Sequence, residues 1–279
     1  MAGESTYAGI AGLVANIYDI AVMSAQEGNA IAPFVTVFNQ TGSAPRIFGA
    51  YSGGTFAAVA EDADMSAQAF NSSASGTITP ATYGSQILLT ERRIASDPAN
   101  AQAEAGQYLG ETASAHIDTN LAGVFASLTG GTVGTAGGTL TWANILRAQA
   151  YLRTNKVFGR YTVVVHPVQW YYLTSASSGV PTFIDNPNLK ESVINGFYQA
   201  SFGNMDFLAD ANIASGTAAV AGMFAKPAIV LDMRRPFTIN PQWDASYSGS
   251  GGWELNSSME YGYGVYRPIY GVKMIGTSV

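Results

Sequence analysis

The 279-residue sequence predicts an α+β fold, and three observations support this class. Apolar residues recur at helical spacing over one long segment, from about residue 98 to residue 128. The second half of the chain alternates helical segments with short runs of β-branched residues. The C-terminal segment "MEYGYGVYRPIYGVKMIG" places Tyr and Gly on opposite faces of an extended chain, which is typical of a strand that needs a partner.

Residues 1–40 are predicted to form an N-terminal arm. Apolar side chains at helical spacing over residues 5–26 predict an amphipathic helix. The segment "IAPFVTVF" follows, and its Pro33 and β-branched residues favour an extended chain.

Residues 41–85 are predicted to form a long two-stranded excursion. They are rich in Gly, Ser, Ala and Thr, with weak two-residue alternation and turn signals. A disordered linker can have the same composition, but it would not need aromatic side chains. An isolated hairpin is marginal in water, so we expect this one to lie on a neighbouring subunit. The aromatic residues of the segment are Phe48, Tyr51, Phe56 and Phe70.

Residues 86–133 are predicted to contain a strand that enters a sheet and then the long helix. Asp97 is a good N-cap, and Pro98 suits the first helical position. At 1.5 Å per residue the helix would span about 45 Å. The Gly-rich segment "GGTVGTAGGT" after it predicts a flexible junction and a domain boundary.

Residues 134–255 are predicted to form an α/β domain. The order of segments predicts a helix capped by Thr141, a buried strand "RYTVVVHP", a short helix, a helix–turn–strand unit and two further strand pieces. Residues 256–279 are predicted to form one closing strand that returns to the sheet of the first domain.

The composition excludes several classes of function. The net charge of -6 argues against electrostatic binding of nucleic acid, and the absence of cysteine excludes disulfides and thiolate metal sites. No Lys or Arg precedes Arg46, so we expect no signal peptide, and no apolar run reaches the length of a membrane span. Because only 11% of residues are charged, we expect other protein to cover much of the surface.

No catalytic motif is present, so we expect no enzymatic activity and no cofactor. The two histidines are far apart, and the sequence lacks HExxH, GxSxG, GxGxxG and a Walker P-loop. Asp185 and Asn188 could bind a hard cation, but the Asp-Asn-Pro sequence is first a turn signal. The carboxylates at residues 61–64 are interpreted as a solvated tip of the excursion.

The order of these parts resembles the major capsid proteins of tailed phages, which have the Hong Kong 97-type fold. That family has an N-arm, an E-loop, a P-domain with a long spine helix, and an A-domain, and the resemblance covers essentially the whole chain. "TYGSQILLTERRIASDP" resembles the strand between the E-loop and the spine helix. "INGFYQASFGNMDFLADANI" and "AGMFAKPAIVLD" resemble A-domain elements, and "MEYGYGVYRPIYGVKMIG" resembles the closing strand.

The resemblance implies a major capsid protein that assembles into hexamers and pentamers of an icosahedral head around double-stranded DNA. It implies a virion location and assembly in the cytoplasm of a prokaryotic host. The implied partners are a portal and, in some members of the family, a decoration protein. The short N-terminal arm implies a separate scaffolding protein. An encapsulin shell of the same fold is the first alternative, and an α/β hydrolase or binding protein is the second.

The candidate assembly residues are the aromatic side chains of the excursion and three groups of charges. Arg46, the one basic residue of the excursion, is expected to pair with a carboxylate of the next subunit. The arginine pairs beside Glu91 and Asp232 are expected to form ion pairs between subunits. The full set is Arg46, Phe48, Tyr51, Phe56, Phe70, Glu91, Arg92, Arg93, Arg234 and Arg235.

Overall fold

The described part of the chain folds into two β-sheets joined by one long helix, with a two-stranded hairpin attached to the first sheet. A computed structural model describes residues 20–21, 30–52, 71–96, 100–174, 199–202, 204–246 and 251–279, with isolated positions 56, 58–59, 61 and 64–65. The strands are β1 (Thr36–Asn39), β2 (Arg46–Ser52), β3 (Asn71–Ile78), β4 (Ala81–Thr90), β5 (Thr132–Gly134), β6 (Tyr161–Val165), β7 (Gln199–Phe202), β8 (Met205–Ala209), β9 (Ala219–Ala225), β10 (Ile229–Asp244), β11 (Gly252–Val265) and β12 (Gly271–Gly276). The α-helices are α1 (Glu91–Ser96), α2 (Asn100–Gly123), α3 (Trp142–Thr154) and α4 (Pro167–Thr174).

The first sheet has four strands in the order β1-β10-β11-β4. β1 runs parallel to β10, and the other neighbours are antiparallel. One face packs on α2 through Leu121, Leu231 and Tyr261, which lie in one buried cluster. The Tyr261 hydroxyl accepts a hydrogen bond of 2.7 Å from Asn120 Nδ2 on the helix, so this buried ring keeps a polar partner.

The second sheet has six strands in the order β5-β12-β9-β6-β8-β7. β6 is buried along its whole length, as its apolar run predicts. Helices α3 and α4 cover this sheet, with Trp142, Ile145 and Leu173 in its core cluster. Thr141 caps α3 as predicted, because its hydroxyl accepts the Asn144 backbone N–H.

The predicted long helix is confirmed. α2 spans Asn100–Gly123 and continues as a 3-10 turn at Val124–Ser127. Phe125 in that turn packs on Phe224 of β9, with ring centroids 5.6 Å apart, so the helix connects both sheets. The strand predicted to run to residue 98 is too long: it ends at Thr90, and α1 follows. Thr90 Oγ1 accepts the Arg93 backbone N–H at 3.3 Å, as an N-terminal cap of α1.

The closing segment divides between the two sheets, which the sequence did not predict. β11 pairs with β4 and β10 in the first sheet, whereas β12 pairs with β5 and β9 in the second. A 3-10 turn at Pro268–Tyr270 separates them, since proline removes a ladder donor. The prediction of one closing strand at 256–279 is therefore wrong beyond Val265. The range 134–255 is also too long for one domain, because β10 belongs to the first sheet.

The Gly-rich segment after α2 is ordered, contrary to the predicted flexible junction. It supplies β5, which pairs with β12 through Lys273↔Thr132 and Met274↔Val133. The Lys273 N–H also donates to the Gly131 carbonyl at 3.1 Å. The predicted boundary at residue 133 thus falls within a strand of the second sheet.

One buried carboxylate ties the N-terminal segment to the long helix. Asp118 accepts the backbone N–H groups of Ala30 and Ile31, at 2.7 and 3.1 Å. The segment "IAPFVTVF", predicted to be extended, begins as a 3-10 turn at Ala32–Phe34 and becomes extended only in β1. The helix predicted over residues 5–26 lies almost entirely outside the described residues.

We predict that Gly222→Ala destabilises the chain, because a Cβ on Gly222 would lie 2.8 Å from the ring of Phe125, which is fully buried. Overpacking of this kind costs about 1–3 kcal/mol, measured by urea unfolding of unassembled subunits. Gly123→Ala is the control, since nothing lies within 4 Å of its Cβ position, and it should be neutral or stabilising. Equal unfolding midpoints for the two variants would contradict the close contact between helix and sheet.

We predict a pH dependence that depends on Asp118. Burial raises the pKa of Asp118 to about 6 from 3.8, against two backbone hydrogen bonds that lower it, and the charge of Asp210 raises it further. Between these values the folded chain holds a proton that the unfolded chain has released. The contribution of Asp118 to the free energy of unfolding therefore falls as the pH rises from about 4 to about 6.

The measurement is the difference in unfolding free energy between wild type and Asp118→Asn at each pH. This difference should fall by at most about 3 kcal/mol across that window and stay constant above it. Parallel profiles for the two proteins would show that the environment of Asp118 is not as described.

Candidate assembly site at the base of the hairpin

The excursion predicted over residues 41–85 contains an antiparallel hairpin of β2 and β3. Its register runs from Arg46↔Ile78 at the base to Ser52↔Asn71. The base lies on the face of the first sheet opposite α2, where Val230 packs with Phe48 and Ile78. The predicted two-stranded excursion is therefore confirmed within the described residues.

Two arginines and one carboxylate form a polar cluster at this base, and we call Arg46, Asp232 and Arg234 the base cluster. Asp232 is fully buried, and the Arg234 side chain is 3% exposed. Asp232 Oδ2 accepts Arg46 Nε at 3.2 Å, Arg234 Nε at 3.0 Å and Arg234 Nη2 at 2.7 Å. Charge-assisted bonds of this kind are stronger than neutral ones, and the low local dielectric increases their strength.

Arg234 also fixes the turn that leads into the hairpin. Its Nη1 donates to the Gly42 carbonyl at 2.7 Å, and its Nη2 donates to the Ala44 carbonyl at 3.0 Å. One guanidinium therefore joins the buried carboxylate of β10 to the backbone just before β2. The planar fork of arginine suits this role, because its donors are fixed relative to one another.

Aromatic rings surround the base cluster. Phe48 packs on Tyr266 and Phe38, with centroid distances of 4.6 and 6.1 Å. The Arg46 guanidinium carbon lies 4.3 Å from the centroid of Phe38, which adds a cation–π contact. These rings cover part of the base cluster, and they connect β1, β2 and Tyr266, the residue that follows β11.

The alternation of Tyr and Gly in β11 serves two different contacts. Gly262 and Gly264 pair with Asp232 and Val230, so they share the face that receives the hairpin. A Cβ on Gly262 would lie 2.6 Å from Ile78 Cγ2, and one on Gly264 would lie 3.2 Å from Ile78 Cγ1. Tyr261 and Tyr263 lie in the cluster on the other face, against the long helix. The glycines leave room for the Ile78 side chain, and the tyrosines pack against the long helix.

The excursion exposes apolar side chains both at its base and beyond it. Ile47 is 67% exposed, Met65 is 83% exposed, and Phe56 is fully exposed. Val59 is about half exposed, so exposed apolar residues recur among the described positions of the excursion. Exposed apolar groups grouped on one projection are typical of a surface that contacts another protein.

The candidate assembly residues differ in how exposed they are in the structure. Phe56 is exposed as an interface residue must be, but Phe48 is 8% exposed and belongs to the base, so its prediction as an interface residue is wrong. The side chains of Tyr51 and Phe70 lie outside the described residues. Glu91 and Arg92 are exposed on α1, and Arg235 is exposed beside the bulge of β10.

Three arginines that were expected to pair with other subunits have partners within their own chain. Arg46 and Arg234 pair with Asp232. Arg93 pairs with Glu104 of α2 at 3.5 Å, with both side chains more than half exposed.

The base cluster could have been found in the sequence. In a strand, Val230, Asp232 and Arg234 share one face, and an acidic residue within the apolar run "AIVLDM" indicates a buried carboxylate that needs a cation. The sequence carried no comparable signal for Ile78 against the two glycines, because that contact depends on how β3 crosses β11.

The two sheets, the connecting helix and a hairpin with exposed apolar side chains are typical of a structural subunit of an assembly. A family model described as phage capsid protein matches residues 74–274. The chain belongs to this phage capsid protein family, and it is a shell protein of a phage capsid. None of the curated protein sequences matches it.

Solved structures share this fold at low sequence identity. The capsid of the cyanophage P-SCSP1u matches with a TM-score of 0.65 and 11% identity, over 88% of this chain and 87% of that chain. A structure from Mycobacterium phage Che8 matches with a TM-score of 0.60 and 16% identity, over 81% and 84% of the two chains. A virus-like particle from Pyrococcus furiosus matches with a TM-score of 0.60 and 12% identity, over 94% and 98%.

In the part of the chain that the structure describes, no group of three or more His, Asp or Glu side chains is placed to hold a metal ion. Among the described helices, none combines the length and apolar character that a membrane span requires. The role of the family is structural.

We predict that Asp232→Asn destabilises the subunit by about 3–5 kcal/mol, because it leaves the buried Arg234 without its counter-charge. The matched control is Asp206→Asn, which removes one partner of the ion pair with Arg160, whose side chain is 62% exposed. An exposed pair contributes about 0–1 kcal/mol. Urea unfolding of unassembled subunits measures both variants, and equal shifts of the two midpoints would refute the role of the base cluster.

Proposed function

We propose that the chain assembles as hexamers and pentamers into the icosahedral head of a tailed phage around double-stranded DNA. The observation that carries this proposal is the hairpin, whose base is fixed in its own subunit while its apolar side chains remain exposed. Such a hairpin is a projection suited to contact the next subunit. Family membership supports association into a shell, and the hexamers, pentamers and DNA are the finer steps of the proposal.

The exposed residues favour a neighbouring subunit as the surface that covers the excursion. Full burial of one large apolar side chain such as Phe56, Met65 or Ile47 contributes about 1.5–3 kcal/mol. A contact repeated around a ring of subunits adds this contribution at every interface. A shell can therefore hold by buried area without covalent bonds, as large obligate interfaces do.

The named parts of the family map onto the described elements. We assign the hairpin and its connecting segment as the E-loop, the first sheet with α2 as the P-domain with its spine helix, and the second sheet with α3 and α4 as the A-domain. The residues before β1 are the N-terminal arm in this assignment. The revised boundaries follow the sheets, so β10 and β11 belong to the P-domain, and β5 and β12 belong to the A-domain.

A phage head implies further partners. We propose a portal, a separate scaffolding protein, possible decoration proteins and assembly in the cytoplasm of a prokaryotic host. The net charge of -6 suits a container whose inner surface must release its DNA.

The encapsulin alternative is not favoured. The family match is to phage capsid proteins, and this match supports a phage head over a cellular compartment. Particles that copurify with an enzyme cargo, and with no need for a scaffold, would favour the encapsulin instead.

We predict that the segment between β2 and β3 is required for shell closure and not for folding. Because Ser52 and Asn71 are paired at the end of the hairpin, residues 53–70 can be replaced by an Asn-Gly turn that closes the two strands. The variant keeps the base cluster, so its unfolding midpoint should match that of wild-type subunits. Size-exclusion chromatography and negative-stain imaging should then show subunits or small oligomers where wild type gives particles.

A milder variant distinguishes the effect of lost apolar contact area from the effect of a shorter excursion. Phe56→Ser keeps the whole excursion and removes one fully exposed ring, so it should raise the protein concentration needed for assembly without abolishing particles. Normal particles from the Asn-Gly variant would refute the role of the excursion. Monomeric wild-type protein under all assembly conditions would refute the proposed function.

A further inference from the structure

β4 is an edge strand of the first sheet along its whole length. It pairs with β11 at ten consecutive positions, from Thr90↔Gly252 to Ala81↔Tyr261, without a bulge. Among the residues that the structure describes, no strand pairs with its other edge. The strand "ATYGSQILLT" contains no charged residue and no proline. Long edge strands without these features are templates for another strand.

The edge of β4 is also accessible. Gly84, Ser85 and Gln86 are exposed in succession, although neighbouring residues of a strand point to opposite faces. Leu88 is 37% exposed further along the strand. Exposure on both faces of the same stretch indicates that its backbone N–H and C=O groups on the outer side can reach a partner.

The hairpin offers a complementary edge. The pairs Phe48↔Gly76 and Gly49↔Ala74 skip Ser75, so β3 carries a bulge while β2 continues without interruption. A bulge makes an edge a poor partner, which leaves β2 as the regular edge of the hairpin. Two strands alone are marginal in water, and a third strand would stabilise them.

The partner of β4 cannot be β2 of the same chain. Arg46 at the start of β2 is bound to Asp232 of β10, and β11 lies between β10 and β4. Strands in a sheet lie about 4.8 Å apart, so the base of β2 is held roughly two strand spacings inside the edge of β4. If β2 pairs with this edge, it must therefore be the β2 of a second copy.

We propose that the outer edge of β4 pairs with β2 of a second copy of this chain. The proposal rests on the proposed shell function and names the surfaces that meet within it. The first sheet then continues across the interface as β1-β10-β11-β4 of one subunit followed by β2-β3 of the next. Donor and acceptor surfaces differ, so every subunit gives one strand and receives one, as in a ring.

Cysteine pairs test the pairing, because the chain contains no cysteine. Ile47→Cys supplies one probe on β2 and Ala50→Cys supplies another on the opposite face of that strand. Each is combined with cysteine at Thr82, Gln86 or Leu88 of β4, or with cysteine at the alternate positions Ser85 or Ile87. Particles are oxidised and run on a non-reducing denaturing gel. Ile47→Cys with Thr154→Cys, which is exposed on α3, controls for random collision.

Edge pairing predicts that disulfide formation alternates from one β4 residue to the next. It also predicts that the two β2 probes link to opposite sets of β4 positions. The cysteine at position 47 should link to only one of the two sets of β4 positions, and the cysteine at position 50 should link to the other set. The products should form a ladder of dimers and higher multimers, whereas the control pair gives monomers. If the hairpin lay flat across a face of β4, both probes would favour the same set, and this result would overturn the proposal.

Hydrogen exchange on the wild-type chain gives a second measurement that needs no variant. About half of the amides in β4 should gain protection on assembly, because alternate residues direct their N–H groups to the outer edge. Particles that form with unchanged exchange in β4 would refute the strand pairing and leave the proposed function intact. Absence of wild-type particles would refute the proposed function and this inference with it.

Discussion

The direction of the hairpin depends on one buried carboxylate. Asp232 holds Arg46 at the start of β2 and Arg234 beside it, and Arg234 in turn holds the carbonyls of Gly42 and Ala44. A buried charge without a partner is costly, so each of these groups constrains the others. Hydrophobic contact alone would leave the angle of a two-stranded hairpin free, whereas the fixed donors of the two guanidinium groups set it. The exposed side chains of the excursion are therefore presented in a defined direction.

The strand next to Asp232 connects this base to the rest of the molecule. Gly262 of β11 pairs with Asp232 of β10 and leaves room for Ile78 of the hairpin. On the other face of β11, the Tyr261 hydroxyl accepts a hydrogen bond from Asn120 of the long helix. The same chain then continues into β12, in the second sheet. One C-terminal segment thus contacts the hairpin, the helix and both sheets. A change in the position of any one of these parts therefore acts on β11.

The sequence was sufficient for elements whose signals are local. The period of α2, the cap at Thr141 and the apolar run of β6 each depend on neighbours within one element, and each was predicted. The division of the closing segment between two sheets was missed. β11 and β12 show the same two-residue alternation, and only their pairing with strands distant in sequence determines which sheet each one joins. The inward role of Phe48 was missed for the same reason: an aromatic residue in a polar segment suits a base as well as an interface. Arg46 and Arg234 were predicted to pair with carboxylates of other subunits. The two-residue period of a strand, which places Arg234 on the same face as Asp232, was not considered.

A subunit of this design must expose surfaces for assembly, yet it must not associate unselectively before assembly. An uncharged edge such as β4 and exposed residues such as Phe56 favour aggregation if they meet unselectively. The base cluster restricts the geometry, because a hairpin held at a fixed angle can reach only a partner in one orientation. Flexible attachment would allow many orientations and would lose more conformational entropy at each contact. Placing the strongest charge interactions inside the subunit, and weaker apolar contacts outside it, therefore makes association selective without making each single contact strong. Many such contacts, repeated by symmetry, then stabilise a closed shell.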